Sequence, residues 1–407
     1  MYPAQTLAST GSVLRQLGYK VMAMDMAAWQ GTPDLAAKVV RSRKWCAVMV
    51  FISHVTLEYD LNFARLLRQL TPCPPTVLLG PATRFLKPEL DRSPADAAIL
   101  GEPEKTLLEA HESIFSVTAD GGPLLFFGDG EEGFVEDLES LPFPAWDLVP
   151  PGKGAFLTVY GSKGCPRRCT YCPYVVAQGR RVRARSVERV IQEIEWLVES
   201  FSINRIMFRD IAFARDGEWV ESFCRALIKK KLRLRWECES HPMDFHPDLL
   251  GLMKQAGCIE IKVGLETAHR GLLQEWARVG SSEEAGAYLA HVAGIQETCR
   301  RIGVRCHLFL MVGVPGQGEE SAQITFSYLQ RLHPELVNVK LFHPYPGIAM
   351  EGNASDQQEA TIQSQLLRSC QVPAQNGQSR FFPRTFNSLL RKHSLRTNYS
   401  NEVKQNR

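Results

Sequence analysis

The stretch Gly161-Ser-Lys-Gly-Cys-Pro-Arg-Arg-Cys-Thr-Tyr-Cys172 places three thiols, Cys165, Cys169 and Cys172, within eight residues. Soft thiolates in such a group select zinc or an iron–sulfur cluster. A structural zinc site needs a fourth Cys or His, and none lies between Gly161 and Pro173 or for many residues beyond. Three thiolates can instead wrap one face of a four-iron cubane, leaving one iron open to a small chelating molecule. Three unconnected core thiols are a poor account of a loop this rich in Gly and Arg.

An apolar run at 156–160 leads directly into the triplet, so the loop is expected at the C-terminal end of a strand. Further strand-like runs follow at 205–210, 233–238, 259–264, 304–312 and 336–341. Between them, Val187, Val190, Ile191, Ile194, Leu197, Val198 and Phe201 keep the 3.6-residue spacing of an amphipathic helix. Six βα units predict a partial (βα)6 barrel over 151–345, with its chemistry at the C-terminal ends of the strands.

Residues 1–116 show the same alternation. Apolar runs at 20–26, 46–52, 76–80 and 97–100 are separated by helix-length segments, and Thr32-Pro33 opens a helix as N-cap followed by proline. This predicts a doubly wound, Rossmann-like α/β domain. The chain enters through Tyr2-Pro3 on a helix, so the first strand of that sheet is expected to be missing. Residues 117–150 read as a linker, with Gly121-Gly122-Pro123, an acidic stretch from Asp129 to Glu139, and Pro142, Pro144 and Pro150. Residues 346–407 read as a polar C-terminal extension with an apolar patch at 381–390 and a basic tail.

The 407 residues carry 47 basic and 44 acidic side chains, a net +3 that argues against nucleic acid or an anionic membrane as partner. No run approaches the roughly 18 apolar residues of a membrane span, and no basic-then-apolar leader opens the chain. Eleven cysteines, an odd number scattered outside the triplet, point to a reducing cytoplasm.

The cysteine loop, with the aromatic Tyr171 before its last cysteine, resembles the cluster loop of radical S-adenosylmethionine (SAM) enzymes. That resemblance implies a 4Fe–4S cluster on Cys165, Cys169 and Cys172, with SAM chelating the open iron and yielding a 5′-deoxyadenosyl radical on reduction. It also implies an external one-electron donor such as flavodoxin or ferredoxin. Phe208-Arg-Asp210 ends the second barrel strand, where the family places an acidic residue near the SAM amino group. Gly264-Leu-Glu266 ends the fourth and resembles the family's Gly-x-Glu segment, whose carboxylate meets the ribose. Met311-Val-Gly313-Val-Pro-Gly316 ends the fifth and resembles the strand beside the adenine. The N-terminal region resembles the corrinoid-binding domain of the cobalamin-dependent group, through Leu14-Arg-Gln-Leu-Gly-Tyr-Lys-Val21 with Asp25, Gly80-Pro-Ala and Gly101-Glu-Pro-Glu104. Leu141-Pro-Phe-Pro-Ala-Trp-Asp147 is similar to that group's entry into the barrel. Two departures stand out: the first strand is expected to be missing, and no Asp-x-His-x-x-Gly occurs, His54 and His111 lying in other contexts.

The implied activity is a cobalamin-dependent methyltransferase, or a related radical cyclase, acting on an unidentified small molecule. Two alternatives stand beside it. A methylthiotransferase acting on RNA or protein needs a second cluster, and only Cys46 and Cys73 precede the triplet. A non-catalytic iron–sulfur or corrinoid carrier would hold a cluster without cleaving SAM. Arg180, Arg181, Arg183 and Arg185 could meet anions or form a solvated basic stretch. Glu239 and His241 could handle protons, while Cys299 and Cys306 read as buried structural thiols.

Overall fold

The computed structural model describes residues 5–26, 31–54, 56–117, 124–128, 133–150, 156–350 and 357–368. The entry at Tyr2-Pro3, the Gly121-Gly122-Pro123 turn, the start of the acidic stretch at Asp129, the 381–390 patch and the basic tail lie outside them. The chain divides into two compact units, one of residues 1–166 with 173–207, the other of 167–172 with 208–407.

In the first unit, β1 (Val48–Phe51), β2 (Thr76–Leu79), β3 (Ala97–Ile99) and β4 (Leu125–Phe127) form one sheet in that order, every pair parallel. Alternation along the strands sends Val77, Leu79, Ala97 and Ile99 to one face. There they pack on Val13 and Leu14 of the Gln5–Gln16 helix and on Leu107 and Ile114 of the Pro103–Phe115 helix. Leu78 and Ala98, also without exposure, point to the other face, as in a parallel sheet buried on both sides. The Pro33–Arg41 helix starts as its sequence requires: Thr32 is extended and accepts the Leu35 N–H at 3.3 Å.

Two expectations are corrected here. Residues 20–25 form no strand. Among the described residues β1 is the edge of its sheet and pairs only with β2, so this run does not extend the ladder; Val21 instead packs against the core of the sheet. Conversely, β4 falls within the range read as linker, where three apolar residues were masked by Gly- and Pro-rich flanks.

All six expected barrel strands are present: β5 (Leu157–Val159), then, after a short hairpin, β8 (Arg205–Phe208), β9 (Arg235–Ser240), β10 (Cys258–Glu266), β11 (Arg305–Val312) and β12 (Leu336–Leu341). They form one sheet whose order follows the chain without reversal, the order of a βα barrel. The register is parallel for β9–β10, β10–β11 and β11–β12. The hairpin is β6 (Ser162–Lys163) against β7 (Arg183–Ala184), antiparallel. Two-residue strands carry no periodicity, so sequence reading does not find them. The Val187–Phe201 helix matches its expected bounds; Ser186 caps it by accepting the Arg189 N–H at 3.1 Å, and Val190, Ile191, Ile194 and Leu197 are buried.

Candidate active site

The cysteine loop leaves the hairpin through Gly164, whose φ is +93°. A Cβ there would lie 2.0 Å from the Arg181 carbonyl oxygen, so only glycine fits the turn. The Cys165 N–H donates to the Gly179 carbonyl at 3.1 Å, and the Gly164 N–H to Gln178 Oε1 at 3.3 Å. The Cys172 N–H closes a turn onto the Cys169 carbonyl at 3.3 Å. Cys169 and Tyr171 are buried among Leu272, Trp276, Val314 and Phe342, with Cys172 and Met311 packed against them. The Thr170 N–H donates to the Trp276 carbonyl at 3.1 Å, fixing the loop to that wall.

At the end of β10 the strand bulges between Gly264 and Glu266, and Glu266 takes a left-handed backbone with φ 65°. A non-glycine residue there stores strain of about 1–3 kcal/mol, a cost concentrated at functional sites. Its carboxylate folds back over the strand: a Cβ on Gly264 would fall 2.2 Å from Glu266 Oε1. A side chain at position 264 would therefore have to displace the Glu266 carboxylate and the Arg278 guanidinium.

Arg278 joins these parts, with only 9% of its side chain exposed. Nη2 donates to the Gly264 carbonyl at 2.6 Å, Nε to Tyr288 Oη at 3.0 Å and Nη1 to Cys169 Sγ at 3.7 Å. Nη2 also lies 3.9 Å from Glu266 Oε1, and the Tyr288 hydroxyl donates to the Gly264 carbonyl. Burial pushes the Glu266 carboxyl above its ordinary value, with Arg278 opposing. Burial likewise raises Tyr171, and pushes Tyr288 up to about 12. Both phenols therefore remain neutral donors.

The end of β9 meets the loop through Arg167, which pairs with Asp244. Asp244 also accepts from Ser240 Oγ at 2.7 Å and from the His241 N–H at 3.2 Å. His241 Nδ1 accepts the Met243 N–H at 3.2 Å, which leaves the ring proton on Nε2. Burial, then Arg278 and Arg167, push the His241 pKa far down, so the ring stays neutral. Among the described residues Nε2 is buried with no hydrogen-bond partner, as is Trp276 Nε1, while the Tyr171 hydroxyl lies close enough to Glu266 to act on its carboxyl. Buried donors of this kind are what a polar ligand with several acceptors would satisfy.

Glu239 lies on β9 beside Lys262 of β10, and burial raises its carboxyl pKa. The neighbouring charges form a buried group: Lys262 Nζ is 2.5 Å from Glu237 and 3.8 Å from Glu260, which also meets Arg305 at 2.8 Å. Asp210 is buried two residues beyond β8, and Gly313 follows β11 with φ +78°.

Cys169, Tyr171, Gly264 and Glu266 thus converge, with Arg278 as hub and Gly313 beside Val314 of the same wall. Among the described residues no three His, Cys, Asp or Glu side chains are placed to enclose a metal ion, so ligation by the triplet rests on thiol chemistry and spacing. The chemistry of these side chains suits a cluster with SAM: three thiols within eight residues of sequence, and, around Cys169, a guanidinium on its sulfur beside the Glu266 carboxylate. Sequence reading missed Arg278 and Tyr288, since one cation twelve residues past Glu266 carries no signal of its own. Of the four arginines after the loop, Arg183 and Arg185 are not free for anions: they pair with buried Glu102 and Glu193. Arg181 pairs with Glu136 near the surface.

Residues 159–329 match the radical SAM superfamily, and the chain carries a radical SAM domain. Among curated proteins it is 25% identical over 67% of its length to an uncharacterised methyltransferase of Pyrococcus horikoshii. It is 24% identical over 69% of its length to an anaerobic magnesium-protoporphyrin IX monomethyl ester cyclase of Rubrivivax gelatinosus. The chain spans 61% and 53% of these two relatives. In fold it resembles TsrM of Kitasatospora setae, a radical SAM methyltransferase solved with tryptophan and a SAM analogue. The TM-score is 0.72 at 18% identity, covering 86% of this chain and 72% of TsrM. TsrM has also been solved with cobalamin and a 4Fe–4S cluster.

Proposed function

We propose that the chain is a radical SAM enzyme whose 4Fe–4S cluster is held by Cys165, Cys169 and Cys172, and that it transfers a methyl group to a small molecule with cobalamin as carrier. The observation that carries this reading is the guanidinium of Arg278, which joins a cysteine of the CxxxCxxC loop to the Gly264–Glu266 bulge. When bound and reduced, the cluster and SAM supply a 5′-deoxyadenosyl radical. Glu266 is assigned to the ribose hydroxyls, Tyr171 and the Gly313 segment to the adenosine, and Asp210 to the amino group. The apolar wall of Leu272, Trp276, Val314 and Phe342 excludes water from the radical. The reductant is an external one-electron donor of the flavodoxin or ferredoxin type.

Likeness to the magnesium-protoporphyrin cyclase favours radical cyclisation as the second reading. The methylthiotransferase reading is weakened by geometry: Cys46 and Cys73 precede β1 and β2, at the N-terminal ends of parallel strands. Ligands of a parallel sheet gather at the opposite ends. Among the described residues no helix is long and apolar enough to cross a membrane.

Anaerobic reconstitution with iron, sulfide and hydroxocobalamin, followed by desalting, tests the reading. Retained absorbance of both cluster and corrinoid is expected. A cluster without corrinoid would refute the cobalamin part, and no cluster would refute the whole.

A further inference from the structure

The motif Gly101-Glu-Pro-Glu104 follows β3 in the α/β sheet, yet its first glutamate is occupied with the hairpin that carries the cysteine loop. Glu102 is 7% exposed in its side chain and accepts from Arg183 through both oxygens, Nη1 at 2.8 Å and Nη2 at 3.1 Å. Lys163 Nζ stands 3.3 Å from Oε1, and the Val135 N–H donates to Oε2 at 2.8 Å. Lys163 and Arg183 are register partners on β6 and β7. One carboxylate therefore grips both strands at the point where the chain departs for Cys165.

The grip continues into the loop. Arg183 Nη2 also donates to the Gln178 carbonyl at 2.8 Å, while the Gln178 side chain accepts the Gly164 N–H. Gly101 cannot be enlarged, because a Cβ would fall 2.4 Å from the Gly133 carbonyl. That contact brings in the 133–135 segment, whose Phe134 ring lies 4.2 Å from the Arg84 guanidinium and 5.1 Å from that of Arg183. A buried bidentate arginine–carboxylate pair fixes orientation as well as position. Removing one partner leaves the other charge buried and uncompensated.

We infer that Glu102 is a positioning residue of the cluster loop, acting through Lys163 and Arg183 so that the α/β sheet sets where Cys165 is presented. The inference rests on the cluster assignment above and extends it to a residue more than sixty positions upstream.

The test uses the full chain, reconstituted anaerobically, and measures the rate of iron loss to a ferrous chelator together with the EPR spectrum of the reduced cluster. Glu102→Gln is expected to lose iron about tenfold faster, the low end of what losing a direct partner of a ligand costs, since Glu102 acts one residue further out, and to show altered g-values. Lys163→Gln, which leaves the arginine pair intact, is expected to change both in the same direction by less. Ile114→Ala, a core truncation at the far end of the next helix, is expected to lower Tm without changing either. If Glu102→Gln loses iron no faster than Ile114→Ala, the inference fails. If Glu102→Gln does not fold, Lys163→Gln decides, and a wild-type rate there overturns it. A wild-type chain that holds no cluster would instead overturn the proposed function.

Discussion

Glu266 and Gly264 show how two residues can be one device. The left-handed glutamate turns its carboxylate over the strand, and the glycine leaves room for it. Gly264→Ala is expected to lower stability by about 1–3 kcal/mol, the usual cost of an added methyl group in a packed site, and to weaken SAM binding measured by equilibrium dialysis. Unchanged SAM binding would separate the glycine from the site. Arg278 makes a second prediction. With the proposed cluster bound at Cys169, the Arg278 N–H beside its Sγ would favour the reduced, more negative state. Arg278→Gln should therefore move the midpoint potential to more negative values in an EPR-monitored titration, and an unmoved potential would show that the contact has no electronic role. His241 was a candidate for proton handling, but its neutral, Nε2-protonated ring makes it a hydrogen-bond donor instead.

At the scale of elements, the hairpin and its loop depend on buried charge, which gives them a pH dependence. Burial alone would raise the Glu102 carboxyl, but Lys163 and Arg183 outweigh it and hold its pKa below the ordinary 4.5. The carboxylate's contribution to stability is then full above pH 4.5 and is lost as pH falls through the lower folded value. Thermal unfolding followed from pH 7 to pH 3 should show a shallower acid loss for Glu102→Gln than for wild type; parallel profiles would mean that the pair contributes nothing to folding. The barrel was legible because its βα rhythm repeats and because Ser186 and the Val187–Phe201 pattern follow local rules. The hairpin was not, since its two-residue strands carry no periodicity and the contacts that hold their side chains come from Glu102, far away in sequence. The run at 20–26 misled for another reason: its apolar residues suit a strand, yet Val21 is used to pack against the core of the sheet rather than to extend it. Of the candidate site, the cysteines were marked by their spacing and Gly264–Glu266 by resemblance to the family's Gly-x-Glu segment, its bulge unforeseen, whereas Arg278 and Tyr288 enter from a loop and a helix with no pattern to mark them.

For the whole molecule, the α/β sheet and the cysteine hairpin share one compact unit. The strand order of the second sheet places the ends of β9, β10 and β11 in sequence, with Asp244, Glu266 and Gly313 at or just beyond them. The function proposed for the chain has one central consequence, reductive cleavage of SAM at the cysteine loop. The direct measurement is 5′-deoxyadenosine formed by the anaerobically reconstituted chain with SAM and dithionite, compared with variants carrying Ala at Cys165, Cys169 or Cys172. The account predicts product from the wild-type chain and none from any of the three variants. A cluster-loaded wild-type chain that forms no 5′-deoxyadenosine, or a cysteine variant that forms as much as wild type, would contradict it.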